Sequence, residues 1–421
     1  MATANISVFH AAVCAEYEIK VNPHVLDALE KTTDTESVTL QLRGNHRLRC
    51  VQRLDDRDVL ALSKCLRNNE CVTGLDVSYN NITDEGAGHL ADLLQCNSTL
   101  LSLRLSGNKI GNRGAMHLAS MLQVNDSLTE LELDACDLVN THKHTDTHCK
   151  SVSLTLPLCL QATQSVIAFA IALKSNKTLR SVDISRPLLF SHQEEWAVHF
   201  SEMLLLNSSL VELHLGKTGM TDTGMERLTE GLRLNRSLRY LDLRCNRVTR
   251  DGVRHLAETL KQNPTLEIID LSANRIEDEG AAYLSEAVTW PGCVLRELSV
   301  SSNNIRTEGL LCLAQALTVN TTLNHIYIWG NHLEEPVCQA FRDLIASGRL
   351  PPEQTDVSAY EVDGHVFLAE VFHSLRRRYH SSSGTDTRNT TDTATDHADN
   401  PVSGSPPHDD ESQQPVRPQA C

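Results

Sequence analysis

The chain of 421 residues has few aromatic side chains, a deficit of basic residues and no long apolar run. Aromatic residues make up 4% of it, and no run approaches the ~18 apolar residues that a membrane-spanning helix needs. Lys and Arg number 38 against 54 Asp and Glu, which gives a net charge of -16. Because phosphate contacts need clustered Lys and Arg, direct nucleic-acid binding is not expected. The start of the chain lacks a basic segment followed by an apolar run, so no secretory signal is expected.

Motifs that carry chemistry are also missing. The thirteen cysteines form no CxxC pair, which is typical of the reduced thiols of an intracellular protein. No HExxH or GxSxG motif is present, and the GKT at Gly216–Thr218 has Val211 where a phosphate-binding loop needs glycine. Histidines and cysteines between His142 and Cys159 lack the regular spacing of a zinc site. We therefore expect no catalytic residue, no cofactor and no metal site.

One motif recurs along most of the chain. Copies of LxxLxLxxNxIxxxGxxxLxxxLxxN begin at Val72, Thr99, Ser237, Thr265 and Val294. Outside a central gap, the first Asn of the motif returns every 28 or 29 residues, and together with degenerate copies this gives about ten units. These positions predict a ladder of structural side chains: Asn80, Asn108, Cys136, Asn246, Asn274, Asn303 and Asn331.

Each half of the motif has a physical reason. The apolar residues of LxLxx alternate, which indicates a short strand with one face buried, and those of GxxxLxxxL have helical spacing. A buried Asn side chain must hydrogen-bond, and the backbone of the following turn offers partners. One strand and one helix cannot bury a core alone, so the units must stack. The sequence thus predicts an α/β solenoid shaped as a horseshoe, with a parallel sheet on the concave face and helices on the convex face.

A unit of about 28 residues with a full helix resembles the ribonuclease-inhibitor-like leucine-rich repeats, and the resemblance covers Ser37–Ala346. Two segments are also similar to one vertebrate subfamily: QSVIAFAIAL at Gln164–Leu173, and the stretch that opens with IYIWGN at Ile326–Asn331. This resemblance implies a protein of the cytoplasm and nucleus, including the nucleolus, with a role in stem-cell pluripotency and differentiation.

The pattern also divides the chain. Within the array, Val139–Gln161 shows no repeat period and is predicted to be a loop insertion. A last helix is predicted to close at Arg376–Arg378. The end of the chain is acidic and has no aromatic residue, so it is expected to be disordered. The predicted parts are an N-terminal helical cap at 1–36, the repeat array at 37–346, a C-terminal cap at 347–380 and a disordered acidic tail at 381–421.

Residues that flank the strand leucines should point out of the concave face, because side chains alternate along a strand. Nine of the 27 outward residues of nine units are acidic and only two, Arg104 and Arg244, are basic, and aromatic residues gather in the later units. An exposed aromatic side chain next to acidic residues favours the capture of a basic protein partner. The predicted partner-binding residues are Asp76, Glu130, Glu132, Asp134, Asp183, Glu212, Asp242, Asp270, Glu297, Tyr240, Tyr327 and Trp329.

Three other interpretations stay open. The concave face could be polar for solubility alone. The chain could regulate a small GTPase, by analogy with the Ran GTPase-activating protein, through arginines of the repeat turns at Arg47, Arg113, Arg247 or Arg275. It could also be a passive scaffold whose partner binds the helical side or the tail.

Overall fold

The computed structural model describes residues 6–32, 37–45, 51–133, 153–155, 163–185 and 194–375. Within these ranges, eleven short strands form one parallel sheet in which each strand pairs with the next in chain order. The strands are β1 (Val38–Gln41), β2 (Val72–Asp76), β3 (Ser102–Arg104), β4 (Glu130–Glu132), β5 (Ser153–Thr155), β6 (Ser181–Asp183), β7 (Glu212–His214), β8 (Tyr240–Asp242), β9 (Ile268–Asp270), β10 (Glu297–Ser299) and β11 (His325–Tyr327).

Helices alternate with the strands, and from α3 to α12 each described helix packs against the next one. The helices are α1 (Ile6–Glu16), α2 (Pro23–Glu30), α3 (Asp56–Leu66), α4 (Asp84–Leu94), α5 (Asn112–Leu122), α6 (Thr163–Leu173), α7 (Glu195–Leu206), α8 (Asp222–Leu234), α9 (Arg250–Leu260), α10 (Glu277–Thr289), α11 (Thr307–Val319) and α12 (Glu335–Ala346). None of the helices in the described part of the chain is long and apolar enough to cross a membrane.

The core lies between the sheet and the helices. The central leucines of neighbouring strands stand in register, as Leu75, Leu103 and Leu131 do, and they are buried against helix leucines such as Leu90 and Leu118. Neighbouring strands are about 4.8 Å apart, whereas packed helices need about 8–10 Å, so the stack curves with the sheet on its concave side. The predicted α/β leucine-rich-repeat solenoid is confirmed.

The prediction of a loop insertion at Val139–Gln161 is wrong in part, because β5 lies inside it. Strand β5 joins the sheet between β4 and β6, with Leu131, Leu154 and Val182 in register. The described sheet therefore has eleven strands, one more than the ten predicted units. Leu154 precedes Val182 by 28 residues, which is the repeat period. The segment SVSLTL alternates apolar residues, which is the pattern of a half-buried strand. The rest of the insertion lies outside the described residues.

The two ends of the array carry additional elements. At the N-terminal end, α1 packs against α2 and α3, and the Asn22 side chain caps α2. At the C-terminal end, a 3₁₀ turn (Pro352–Gln354) leads into an antiparallel hairpin of β12 (Val357–Val362) and β13 (His365–Glu370). The predicted last helix is therefore wrong over β13. Asp363 and Gly364 both adopt positive φ (51° and 81°), which is the backbone of a two-residue hairpin turn.

Candidate partner-binding face

The Asn ladder fixes the turns that follow the strands. The Nδ2 atom of Asn246 donates to the carbonyls of Leu215 (2.9 Å) and Leu243 (2.8 Å), and its Oδ1 atom accepts from the backbone N–H of Met220 (3.0 Å). Cys136 lies outside the described residues. The same side-chain donation to one carbonyl of the preceding unit and one of its own unit occurs at Asn80, Asn108, Asn274, Asn303 and Asn331.

The sequence interpretation missed a second ladder at the starts of the helices. The Oδ1 atom of Asp222 accepts from the backbone N–H of Thr249 (2.7 Å) and Gly252 (3.0 Å) in the next unit. Asp56 and Asp278 do the same for their own neighbours, and Asp84 accepts from one backbone N–H, that of Gly111. An acidic residue at the first helical turn is the sequence signal, since exposed helix N–H groups need acceptors. Both ladders hold consecutive units in a fixed register, so the strands present a preformed surface.

The concave face consists of two rows of outward side chains in strand register. The first row contains Gly74, Ser102, Glu130, Ser181, Glu212, Tyr240, Ile268, Glu297 and His325. The second row contains Gln41, Asp76, Arg104, Glu132, Asp183, His214, Asp242, Asp270, Ser299 and Tyr327.

The structure places the predicted acidic residues in two environments. Glu130, Glu132 and Asp183 are partly exposed, whereas Asp134 lies outside the described residues. The expectation that all of the acidic side chains are exposed is wrong, because outward side chains on strands about 4.8 Å apart pack against one another. The buried ones are Asp76, Glu212, Asp242, Asp270 and Glu297.

Part of the acidic charge is paired within the face. Arg104 bridges Glu130 (Nη2 to Oε1, 2.9 Å) and Glu132 (Nε to Oε2, 3.4 Å). Arg43 pairs with Asp76 (Nε to Oδ2, 2.5 Å). His214 on β7 and Arg244, two residues after β8, are also paired, so four cations make ion pairs on a face that carries eight described carboxylates. The face therefore keeps a negative surplus.

His214 is a cation of this face that the sequence interpretation missed, since histidine was counted as neutral. Strand register places it between Asp183 and Asp242. Its Nε2 atom lies 3.4 Å from Oε2 of Glu212, and its Nδ1 atom lies 3.5 Å from Oδ2 of Asp242, which Arg244 also contacts at 3.0 Å. Burial lowers the pKa of His214, but the hydrogen bonds to Asp242 and Glu212 outweigh it and raise the pKa to about 9. The signal was the pattern ELH between two strands that end in Asp.

The surroundings of Asp270 disfavour the charged form of its side chain, whereas those of His214 favour the charged form. Burial, together with the negative charge of Asp242 on the next strand, raises the pKa of Asp270 above its ordinary value. Two hydrogen bonds from Ser272, through its backbone N–H (2.9 Å) and its hydroxyl (2.6 Å), favour the charged form but do not cancel the rise. This part of the face thus concentrates negative charge at an energetic cost, which an added cation would relieve.

The predicted aromatic anchor is differently placed. Tyr240 and Tyr327 were expected to be exposed, but both are buried in a cluster with Ile268 and Leu375. Trp329 is half-buried against the core, and its backbone N–H donates to Oδ2 of Asp356 (3.0 Å). The exposed-anchor prediction is therefore wrong for the two tyrosines, because the residues after the C-terminal hairpin return over the sheet.

Two other sequence interpretations can be compared with the described residues. Among them, no group of three or more His, Cys, Asp or Glu side chains is arranged to hold a metal ion. The turn arginines of the GTPase interpretation, Arg113, Arg247 and Arg275, are exposed, and Arg47 lies outside the described part.

The stacked strand–helix units and their Asn ladder define a leucine-rich repeat protein. A family model described as Leucine Rich repeat matches residues 68–91, 96–119, 206–228, 234–257, 262–285 and 293–314. The chain is 46% identical over 379 residues to leucine-rich repeat-containing protein 34 of Mus musculus. The alignment covers 87% of this chain and 91% of the mouse protein. The Homo sapiens protein of the same name is 43% identical over 385 residues, and that alignment covers 89% of this chain and 83% of the human protein. The chain belongs to the leucine-rich repeat-containing protein 34 family.

Among solved structures, the match to leiomodin-1 actin-binding site 2 has a TM-score of 0.27 and 17% identity, and it covers 40% of this chain and 77% of that chain. These values are too low for a functional comparison. The family resemblance of the sequence is confirmed by the relatives, whereas the localisation and the role in differentiation stay predictions.

Proposed function

We propose that the chain is a non-catalytic protein-interaction module, and that its concave face binds a basic segment of a protein partner. The observation that carries the proposal is the negative surplus of that face, where carboxylates outnumber the cations paired with them. Leucine-rich repeats of this architecture present a broad, curved surface for binding. A surface of one charge sign attracts an oppositely charged partner and sets its orientation.

The partly exposed carboxylates are the best placed to meet such a partner. Glu130 and Glu132 lie on one strand, with side chains 20% and 32% exposed, and Arg104 lies beside them on the next strand. The hydroxyls of Ser102 and Ser106 donate to these glutamates at 2.6 and 2.8 Å, which holds the carboxylates in place before binding. Preorganised acceptors of this kind lower the entropy lost on association. An arginine of the partner would add hydrogen bonds to the same oxygens.

Reversing the charge of this pair is expected to weaken partner capture by tenfold or more. The double variant Glu130→Lys with Glu132→Lys would replace attraction by repulsion at a partly exposed acidic site of the face. The control is Glu226→Lys with Glu230→Lys, which makes the same charge change at exposed positions of α8. Partners would be captured on tagged full-length chain and quantified by mass spectrometry.

The same capture should depend on salt. Between about 50 and about 500 mM NaCl, the screening length falls below the spacing of these charges, so the amount of a basic partner retained should drop steeply. Equal capture by the wild type and the sheet-face variant, or retention that does not change with salt, would contradict the proposal. A loss that appeared equally in the α8 control would show that only total charge matters.

A further inference from the structure

A leucine from the end of the described chain is seated on the concave face. Leu375 packs with Tyr240, Ile268 and Tyr327, and all four side chains are buried. The three sheet residues point away from the helices, so their burial comes from this side of the sheet. We call Tyr240, Ile268 and Tyr327 the aromatic patch, and residues 371–375 the strap.

The route of the strap is set by the C-terminal hairpin. Asp356, just before β12, accepts from the backbone N–H groups of Ile328 (2.8 Å) and Trp329 (3.0 Å) and from the hydroxyl of Ser301 (2.8 Å). The hairpin therefore starts at the carboxyl ends of β10 and β11. Because β13 runs antiparallel to β12, the chain returns to the same edge, where the N–H of Val371 donates to the Asp356 carbonyl (3.0 Å). From there, four residues reach the patch.

The strap is held on the sheet through one side chain. Phe372, His373 and Ser374 are exposed to solvent. The relative solvent-accessible area of Phe372 is 102%, so this residue is fully exposed. A chain that buried apolar residues indiscriminately would have covered the phenylalanine. The patch instead takes the leucine, a smaller aliphatic side chain, which forms one buried cluster with the two tyrosines and Ile268.

The surroundings of the patch are acidic. Asp242 and Asp270 stand two residues from Tyr240 and Ile268 on the same strands, and Glu297 is in register with Ile268. In the sequence, Leu375 is followed directly by three arginines, Arg376–Arg378, which lie outside the described residues. A leucine on the patch with arginines after it thus matches both the apolar and the charged character of this part of the face.

We propose that the aromatic patch is a binding site for a peptide in which an aliphatic residue precedes arginines, and that the chain's own C-terminal segment occupies this site in cis. The part concerning a partner rests on the proposed function: a basic partner with the same sequence chemistry would have to displace the strap. Since the strap is tethered a few residues away, its effective concentration is ~1 mM, which suppresses binding of a weaker ligand and selects for a tighter one.

The test uses a fluorescently labelled peptide with the sequence of residues 371–380, VFHSLRRRYH, and fluorescence anisotropy with the full chain. Wild type should bind it weakly, because the tethered copy competes. Leu375→Asp should release the strap and bind the peptide at least about tenfold more tightly, as expected for removal of a tethered competitor. Leu375→Ala should give a smaller gain in the same direction. Phe372→Asp is the matched control: it alters an exposed residue of the strap and should keep the wild-type affinity.

Two further arms define the site. A peptide with aspartate in place of its leucine should not bind Leu375→Asp, and Ile268→Lys in the Leu375→Asp chain should abolish binding of the native peptide. Thermal melts would establish that each variant is folded. The proposal is overturned if the peptide binds wild type and Leu375→Asp equally, or binds neither. Because this assay contains no partner, it is independent of the charge reversal at Glu130 and Glu132, which tests the proposed function.

Discussion

Replacing Asn246 by Ala is expected to lower the free energy of unfolding by about 4 kcal/mol, because four backbone groups lose their partner and each such loss costs at least about 1 kcal/mol. The side chain donates to the carbonyls of Leu215 and Leu243 and accepts from the N–H groups of Gly219 and Met220. An alanine methyl group replaces none of these bonds. The loss should be visible in urea-induced unfolding followed by circular dichroism.

The control for this variant is Asn68→Ala, which removes the same amide group at an exposed position after α3 and should change the stability little. Because consecutive repeats stabilise each other mainly through their shared interfaces, the Asn246 variant should also lose cooperativity near β7 and β8. If both variants unfold at the same urea concentration, the Asn ladder does not stabilise the array as described.

The second large effect is expected at His214. Substitution by Gln keeps a hydrogen-bonding side chain but removes the positive charge between Glu212 and Asp242. At pH 6 it should destabilise the protein by about 3 kcal/mol, since the pKa of His214 is raised from 6.5 to about 9 and one unit corresponds to about 1.4 kcal/mol. His117→Gln, at an exposed position of α5, is the matched control and should have little effect.

The sign of the pH dependence follows from the direction of the shift. The folded state holds the proton of His214 more tightly than the unfolded state, so its stabilisation is complete below pH 6.5 and is lost as the pH rises to about 9. The difference in unfolding free energy between wild type and His214→Gln should therefore shrink across that window. Urea unfolding at several pH values measures it. A difference that stays constant with pH would mean that the histidine is neutral in the folded protein.

The repeat architecture was predictable because one unit repeats its physical requirements. Alternating strand leucines, helical leucines and a buried Asn recur together in each unit. A unit that departs from the pattern can therefore still be assigned from the spacing of its neighbours. Ser153–Thr155 was missed because the register was read from Asn, whereas five residues after Leu154 the chain has Cys159. The same offset separates Leu131 from Cys136 and Leu75 from Asn80. Reading the leucine alternation would have found β5.

The hairpin at the end of the array also had a local signal. The segment EVDGHVFLAE places Asp363-Gly364 between alternating apolar residues, which is a strong indication of a two-residue hairpin. The helix predicted to close at Arg376–Arg378 conflicts with this signal, because it begins inside β13.

The state of the concave face was less accessible from the sequence. Alternation along a strand gives the direction of a side chain but not its neighbours. The burial of Asp242 depends on His214 and Arg244 beside it, and that of Tyr240 depends on Leu375, more than a hundred residues later in the chain. Such contacts come from cross-strand register and from the path of the C-terminal segment, which no local pattern specifies.

The central claim, that a basic protein binds the concave face, is tested most directly by site-specific photo-crosslinking in cells. A photoreactive amino acid at Glu132 or at Asp183 would report on the sheet face, and one at Glu226 would report on the helical side at an equally acidic, exposed position. The account predicts that the two sheet positions crosslink the same basic protein and that Glu226 does not. Crosslinks from Glu226 with none from Glu132 or Asp183 would contradict it.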